Sequence, residues 1–440
     1  MLGLSMMTEI LEALFFLSTG IVMMYLVRHY VFTLTVLRRG KLADPVEEIS
    51  HYNYEPTVSI IIPARNEKYV IGRLLQRIVE LTYPREKLQV IVVDDASTDG
   101  TGKIAQEFVT HYNFIEVLHR DKESGGKGKP SALNYGLKRA TGDIVLFFDA
   151  DYSPPKTITE KLVRGFADPT VGAVQGRPVV QNESQSMVTR IVTLERIGGY
   201  RIGQEARENL GLTPQYGGTI GGFRRSILEK LGGFDESMLT EDTDLTFKIR
   251  LLGFRVHYQG DAECYEEAVS TWKAYWRQRH RWAKGHMQVC FKHSFGVIRS
   301  KKLTLKEKVD ALLLLYIYFV PVLTMFSFLV GVSLIFFEFA PVVHALWLIS
   351  PLSFYSCVGN FAPFFEVGIG AYLDGRTRLQ WLVPLLVFAY FFNVIICTKA
   401  FLDILAAKVS GRNNHYWYKT PHLGDGNRYI DTQLIKVKRL

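Results

Sequence analysis

Cysteine is scarce in this chain, with four in 440 residues, at Cys264, Cys290, Cys357 and Cys397. No two stand in a paired spacing, which argues against a zinc site and a disulfide framework and suits a reduced cytoplasmic face. A phosphate-binding loop of the G-x-x-x-x-G-K-[ST] kind is also missing, because Gly125-Gly126-Lys127-Gly128-Lys129 does not match its spacing. The charge order of a signal peptide is absent too. Ile10 to Leu37 is apolar, interrupted by Glu12, Arg28 and His29, but Arg28, Arg38, Arg39 and Lys41 follow the run rather than precede it. Finally, charge itself is absent from Ala311 to Phe337, long enough to cross a hydrocarbon core of about 30 Å, which needs ~20 residues.

What is present divides the chain. The apolar fraction is 48%, and it is concentrated in a few runs. Residues 10–37 read as a retained span with a cytoplasmic C-terminal end. Trp381 to Thr398 is uncharged and continues apolar to about Leu405. Pro341 to Leu373 is broken only by His344 and Glu366, and splits best into two short spans or a bent hairpin near Gly359-Asn360. The tail carries Lys408, Arg412, Lys419, Arg428, Lys436, Lys438 and Arg439 against Asp425 and Asp431, which favours a cytoplasmic tail and five crossings in all. Four spans with an external tail is the rival. The net charge of +9 is one that nucleic-acid binders carry. Beside several spans it fits anionic lipid headgroups and an anionic donor better, so no nucleic-acid partner is expected.

Between the first span and the rest, short β-branched runs alternate with helical patterns. Strands are predicted at Val58–Pro63, Leu88–Val93, Phe114–Leu118 and Ile144–Phe148, and helices at Tyr69–Leu81, Thr101–His111 and Ser131–Arg139. Continuous apolar strands alternating with helices imply a parallel sheet covered on both faces. Ligands of such sheets bind beyond the carboxyl ends of the strands. Three of those ends carry polar clusters: Ala64-Arg65-Asn66-Glu67, Asp94-Asp95-Ala96-Ser97 and Asp149-Ala150-Asp151.

Each constellation has two readings. Asp149 and Asp151 can turn both carboxylates onto one hard cation, Mg2+ or Mn2+, that also holds a diphosphate, or they form an acidic turn before Pro154-Pro155. Lys127 and Lys129 either neutralise an anion or belong to a solvated loop. Thr240-Glu241-Asp242 opens a helical pattern, where an acidic group caps the helix or takes a proton from an acceptor hydroxyl. Gln278-Arg279-His280-Arg281-Trp282 lies in a stretch, Thr271–Arg299, suited to lying in a membrane interface. Arg279 and Arg281 are also suited to phosphate oxygens, and Trp282 to a sugar face.

Taken in order, these motifs resemble the processive family-two glycosyltransferases, with closest likeness to bacterial poly-N-acetylglucosamine synthases. Hyaluronan, chitin and cellulose synthases share the set. The resemblance covers residues 57–290 and rests on Pro63-Ala64-Arg65-Asn66-Glu67, Asp94 to Asp99, Gly128 to Asn134, Asp149-Ala150-Asp151, Gly221 to Ser226, Thr240-Glu241-Asp242 and Gln278 to Trp282. It implies a Rossmann-like, nucleotide-sugar-binding glycosyltransferase A-type α/β domain with α-helical transmembrane segments. The implied organisation is a span at 10–37, a cytoplasmic catalytic domain at 55–265, interfacial amphipathic helices at 266–308, spans within 309–407 and a basic tail at 408–440, in the plasma membrane.

By the same resemblance, Asp94 and Asp95 contact the uridine of a UDP-sugar, UDP-N-acetylglucosamine or UDP-glucose. Pro63, Ala64, Asn66, Glu67, Lys129 and Asp149 also serve the donor. Asp149 and Asp151 face diphosphate and metal, and Asp242 is the general base. Gly221, Gly222, Arg224 and Glu241 line the acceptor side, while Gln278, Arg281 and Trp282 hold the donor diphosphate and the acceptor end. The expected reaction is inverting and processive: a growing polysaccharide forms at the cytoplasmic membrane face with β linkages, with room left for an accessory subunit. Unlike in cellulose synthases, control by a C-terminal cyclic-dinucleotide domain is not expected, and the expected spans are fewer than in typical hyaluronan synthases. Ceramide glucosyltransferases carry a similar motif set, so addition of one sugar to a lipid acceptor is the alternative. A non-catalytic membrane scaffold is a third reading.

Overall fold

The computed structural model describes residues 2–39, 54–336 and 359–411. It forms two compact units. Among the described residues, one holds the sheet and takes 54–189 and Pro214–Ala274, and the other is helical and takes the N-terminal helix, Arg190–Thr213 and the described chain from Tyr275 to Gly411. Within 55–265, the segment Arg190–Thr213 clusters with the helical unit rather than with the sheet. The reason lies in its apolar face: Ile202 and Ala206 pack with Phe32 and Val36 in a core of the helical unit.

In chain order the elements open with α1 (Leu2–Arg39), β1 (Val58–Ala64), α2 (Ile71–Val79), β2 (Leu88–Asp95), α3 (Thr101–Val109), β3 (Ile115–Arg120), α4 (Lys129–Leu137), β4 (Ile144–Phe147) and α5 (Ile158–Arg164). Then come β5 (Val171–Val180), α6 (Met187–Arg196), a π-helix at Ile197–Gln204, α7 (Glu205–Asn209), β6 (Gly221–Arg224), α8 (Arg225–Leu231), α9 (Glu241–Leu252) and β7 (Arg255–Glu266). The chain continues with α10 (Trp272–Arg299), α11 (Leu305–Leu315), α12 (Val320–Phe336), α13 (Ala362–Leu373) and α14 (Leu386–Ser410).

The sheet runs β3-β2-β1-β4-β6-β5-β7. Side chains alternate across it, so Ile60, Ile62, Val90 and Val92 face Ile71, Leu74, Leu75 and Ile158 on one side. Ile61, Ile91 and Val93 face Leu133, Leu228 and Leu245 on the other. Each fully buried Ile or Leu contributes about 1.5–3 kcal/mol of apolar transfer. The expected strands are all present.

The expectation of a parallel sheet is corrected: β6 pairs antiparallel with both β4 and β5, and the sheet is mixed. Its sequence, Gly221-Gly222-Phe223-Arg224, has no β-branched run to betray it. Glycine is required there, because a Cβ at Gly221 would lie 2.2 Å from Val174 O and one at Gly222 2.0 Å from Val145 O. The parallel register brings Ala64 level with Asp94, and Asp94 and Asp95 level with His119 and Arg120. Carboxyl ends of β1 and β2 thus share one edge, which positions the site.

In the helical unit, Glu9–Arg38 and Thr377–Ser410 are, among the described residues, the two helices long and apolar enough to cross a membrane; the bent pair Leu305–Leu315 and Ile317–Ser333, at 43°, makes a third if it is one span. The run Ala311–Phe337, expected to be one span, breaks after Leu315. Pro321, without an N–H, sits in the first turn of the helix that restarts at Val320. Much of the expected Pro341–Leu373 hairpin and the basic tail after Gly411 lie outside the described residues. α1 exposes Leu17, Met24, Val27 and Val31 while burying Tyr25, Phe32 and Val36. Inside this unit Arg28 and Arg207 share Asp310, at 3.2 and 3.4 Å, and His29 pairs with Glu366.

Candidate active site

The carboxyl ends of β1 and β2 build one half of the site. Asp94 is buried, accepts the Ser97 N–H at 3.2 Å and lies 3.0 Å from His119 Nδ1. Asp95, also buried, accepts from Arg120 Nη1 at 2.8 Å and from the Gly126 N–H at 3.0 Å. Arg65 donates to Gly126 O at 3.0 Å. The glycine-rich stretch before α4 is thereby folded back onto the β1 and β2 ends, as a ligand-facing loop would be. Asn66 N–H donates to Ser97 Oγ and Asn66 Oδ1 accepts the Thr98 N–H, at 2.9 and 2.8 Å. Glu67 N–H donates to Thr101 Oγ1 at 2.7 Å. Pro63 and Ala64 form the last two residues of β1.

The other half centres on Lys129. Its ammonium lies 2.6 Å from Asp149 Oδ1 and donates to Gly218 O at 2.9 Å. Burial pushes the Lys129 pKa down, but Asp149, Glu241 and Asp242 outweigh it and the net shift is upward, so the lysine is held as a cation. Gly218 in turn abuts Asp242: a Cβ at 218 would lie 2.9 Å from Asp242 Oδ2. The Asp149 N–H donates to Thr219 Oγ1 at 3.3 Å. Lys129 thus pairs with Asp149 directly and reaches the Asp242 motif through Gly218. At the start of α9, Thr240 makes no side-chain capping bond. Asp242 Oδ1 accepts its neighbour's N–H, that of Thr243, at 2.7 Å. Glu241 and Asp242 also help hold Lys129 as a cation.

Asp151 is buried and accepts the Glu267 N–H at 3.2 Å, while Arg73 donates to Asp151 O at 2.9 Å. Among the described residues no group of three or more His, Cys, Asp or Glu side chains is placed to hold a metal. Mg2+ and Mn2+ are often held by one or two carboxylates plus substrate phosphates, and Asp149 offers one open carboxylate oxygen. Only Oδ1 of Asp149 is engaged by Lys129, and Oδ2 has no partner among the described residues. Beneath Asp151, burial and then the Asp151 charge push the Cys264 thiol well up, so it is not a nucleophile.

The acceptor-side residues separate. Gly221 lies beside Phe147, at the end of β4 that leads to Asp149. Gly222 is one step deeper. Arg224 is level with Ile144, at the opposite end of that strand, where it donates to Val171 O, Phe166 O and Asp168 O at 2.8, 2.6 and 2.9 Å. Arg224 is a strap across carbonyls, set apart from Asp149 and Lys129.

Gln278, Arg281 and Trp282 belong to the helical unit. Arg279, expected to serve phosphate, is buried and instead pairs with Glu195. Glu195 also accepts from Tyr275 Oη at 2.6 Å, and Tyr275 accepts from Asn393 at 3.2 Å. Gln278 accepts from Arg279 at 3.0 Å. The Trp282 ring lies under two guanidiniums, Arg279 at 4.3 Å and Arg196 at 5.6 Å. Along α10, Phe291, Phe295 and Ile298 are exposed, while Ala283 and Met287 pack in a core with Cys397 and Ala400.

Sequence reasoning missed Gln175, Gly218, Thr219 and Arg120. It also missed that the three non-glycine residues with positive φ among those described, Asn66, Ala96 and Ile220, follow β1, follow β2 and precede β6. Such strain persists where surrounding structure over-determines it, commonly at functional sites. Arg120 had a weak signal as a cation level with an acidic strand end; the others had none.

The mixed α/β sheet with acidic strand ends beside the half-buried Lys129 has a glycosyltransferase A-type fold. A mannosyltransferase from Pyrobaculum calidifontis, solved with GDP-mannose and Mn2+, shares it with a TM-score of 0.60 at 25% identity, over 88% of this chain and 99% of that one. The family profile described as "Glycosyltransferase like family 2" matches residues 56–285, and the chain belongs to that family. A probable glycosyltransferase, YdaM, of Bacillus subtilis is 41% identical over 54% of this chain and 57% of its own length. A beta-monoglucosyldiacylglycerol synthase of Synechocystis is 33% identical over 70% of this chain and 62% of its own. The chain therefore spans less than two thirds of either relative. A poly-beta-1,6-N-acetyl-D-glucosamine synthase of Staphylococcus epidermidis is 27% identical over 80% of this chain and 85% of its own length.

Proposed function

We propose that the protein transfers one hexose, with inversion, from a UDP-sugar to a hydroxyl of a membrane lipid, giving a β-linked glycolipid. The observation that carries this reading is the ammonium of Lys129 set among Asp149, Glu241 and Asp242. The ammonium pairs with a diphosphate-facing carboxylate and donates to Gly218, which abuts the candidate base Asp242.

Asp94 and Asp95, pinned by His119 and Arg120, receive the uridine. Asn66 and Glu67 order the neighbouring strand end. Asp149 and Asp151 would hold a divalent cation, which when bound supplies positive charge to the diphosphate. Asp242 takes the proton of the acceptor hydroxyl as its oxygen bonds to the anomeric carbon. The bond from that carbon to the diphosphate oxygen breaks, and UDP leaves with the electron pair. Lys129 steadies the negative charge that grows on the leaving group. Glucose or N-acetylglucosamine is the sugar.

The lipid acceptor is supported by the resemblance to monoglucosyldiacylglycerol synthases, at 33% identity. It is also supported by the two membrane-length apolar helices, which we read as anchors in the plasma membrane with the catalytic unit cytoplasmic. A second reading, the processive polymerisation of the same donor, is favoured by the alignment with the Staphylococcus polymer synthase over 85% of its length. The test is to incubate purified protein with diacylglycerol-containing vesicles and a panel of UDP-sugars. A lipid one hexose heavier by mass spectrometry supports the first reading. Ladder or high-mass carbohydrate supports the second, and no UDP release from any donor sinks both.

A further inference from the structure

Gln175 lies fully buried in β5 beneath the turn Gly217–Ile220. Its amide is spent on that turn. Oε1 accepts the Gly217 N–H at 2.6 Å. Nε2 donates to Thr219 O at 3.0 Å, Ile220 O at 3.4 Å and the adjoining Gly176 O at 2.7 Å. The turn needs such a hold, because Ile220 has φ +50°, a conformation in which a β-branched side chain is strained. Ile220 is also tied through its N–H to Phe147 O at 3.0 Å and through its carbonyl to the Gly176 N–H at 2.6 Å.

This turn is what the reactive groups rest on. Its Gly218 carbonyl takes the Lys129 ammonium. Gly218 itself, at φ +86°, leaves no room for a Cβ beside Asp242. Its Thr219 hydroxyl takes the Asp149 N–H. Lys129, Asp149 and Asp242 thus each touch one short strained turn, and one buried amide braces it.

We propose that Gln175 is a positioning residue, which holds the Gly217–Ile220 turn and through it the spacing of Lys129, Asp149 and Asp242. Gln175 meets no substrate. The proposal rests on the sugar-transfer reading above. An apolar side chain of equal length would leave the Gly217 N–H and the Thr219 carbonyl without this partner, and the strained turn would relax. The donor's nucleoside end is held elsewhere, by Asp94 and Asp95 on their own partners, so it is separable from the turn.

The experiment compares the full-length wild-type protein with Gln175→Met in detergent. UDP affinity is measured by calorimetry and turnover as UDP release. Acylation of Lys129 by a water-soluble succinimidyl ester is followed by peptide mass spectrometry. Gln175→Met is expected to keep UDP affinity and donor KM within about threefold while kcat falls about 30-fold or more, the pattern of an interaction felt only in the transition state. Lys129 should acylate about fivefold faster or more, since its bond to Gly218 O is loosened. Turnover within about threefold of wild type, or an unchanged acylation rate, overturns the proposal. Parallel loss of UDP binding and turnover also overturns it, by marking Gln175 as a support of the whole sheet. Gln175→Glu serves as a second variant if the first does not fold: it retains an acceptor for the Gly217 N–H but turns a carboxylate toward two carbonyls, and the same split is expected. If the wild type releases no UDP from any nucleotide sugar, the transfer reading fails, while the acylation rate still decides the role of Gln175.

Discussion

Lys129 Nζ lies 2.6 Å from Asp149 Oδ1, tying the start of α4 to the residue pair that follows β4. Burial alone would lower the pKa of this half-buried ammonium, yet the acids around Lys129 raise it above the ordinary 10.5. Below that value its charged form contributes stability. The contribution is lost as pH rises through the higher folded value. Lys129→Met should lower the thermal midpoint at pH 7 to 10, with the gap to wild type closing above about pH 10.5. Transfer should fall about 100-fold or more through loss of leaving-group stabilisation. A constant gap across the alkaline range would refute the linkage.

Asp242→Asn removes the proposed base but keeps the shape that Gly218 abuts. Turnover measured as UDP release should drop by about 10²–10⁴-fold, with UDP affinity retained. Undiminished transfer in a membrane preparation would take Asp242 out of the mechanism.

Gly102 leaves the space that Asp94 occupies, since a Cβ there would stand 2.2 Å from Asp94 Oδ2 and 2.9 Å from His119 Cε1. Alanine favours a helix over glycine by about 1 kcal/mol, so Gly102→Ala should not unfold α3. It should displace the Asp94 carboxylate and weaken UDP binding about 10-fold or more. Calorimetry with UDP decides; full affinity in the variant would mean Asp94 does not read the nucleoside.

Glu195 holds the buried Arg279 and accepts from Tyr275. Glu195→Ala strands a guanidinium and should cost about 3–5 kcal/mol in stability. The double substitution Glu195→Ala with Arg279→Met should recover much of that loss, because no charge is then left unpaired. Additive losses in a chemical denaturation series would contradict the pairing.

Trp282 sits under Arg279 and Arg196, each such contact being worth about 0.5–2 kcal/mol. The family resemblance gives it the acceptor end. Trp282→Ala should therefore reduce glycosylated product while UDP affinity stays within about threefold. Unchanged product would reject that role.

The strands and their acidic ends were readable because they are local. Ile60-Ile61-Ile62 and Val90 to Val93 declare buried strands by composition, and Asp94-Asp95 and Asp149-Ala150-Asp151 stand where those strands stop. α9 was readable from its period, but not whether Glu241 and Asp242 cap it or act. That depended on Lys129 arriving from α4. The antiparallel β6 was hidden because glycine pairs suit turns and close-packed strands alike. The excursion of Arg190–Thr213 into the helical unit was hidden because its apolar face matches a catalytic-domain helix equally well.

The family-two motif order, the α/β alternation with its polar strand ends and the apolar segments of membrane length are all legible in the residues alone. All three are written in short windows of hydropathy and residue type. Strand register and loop closure were needed to pair Lys129 with Asp149 and seat it on Gly218 beside Asp242, to strap Arg224 across the far end of the sheet, and to set Gln175 under a strained turn. Those are contacts between side chains and backbone groups dozens of residues apart, such as Gln175 with Thr219 and Lys129 with Gly218. Their existence depends on strand register and close backbone approach, which no local pattern encodes.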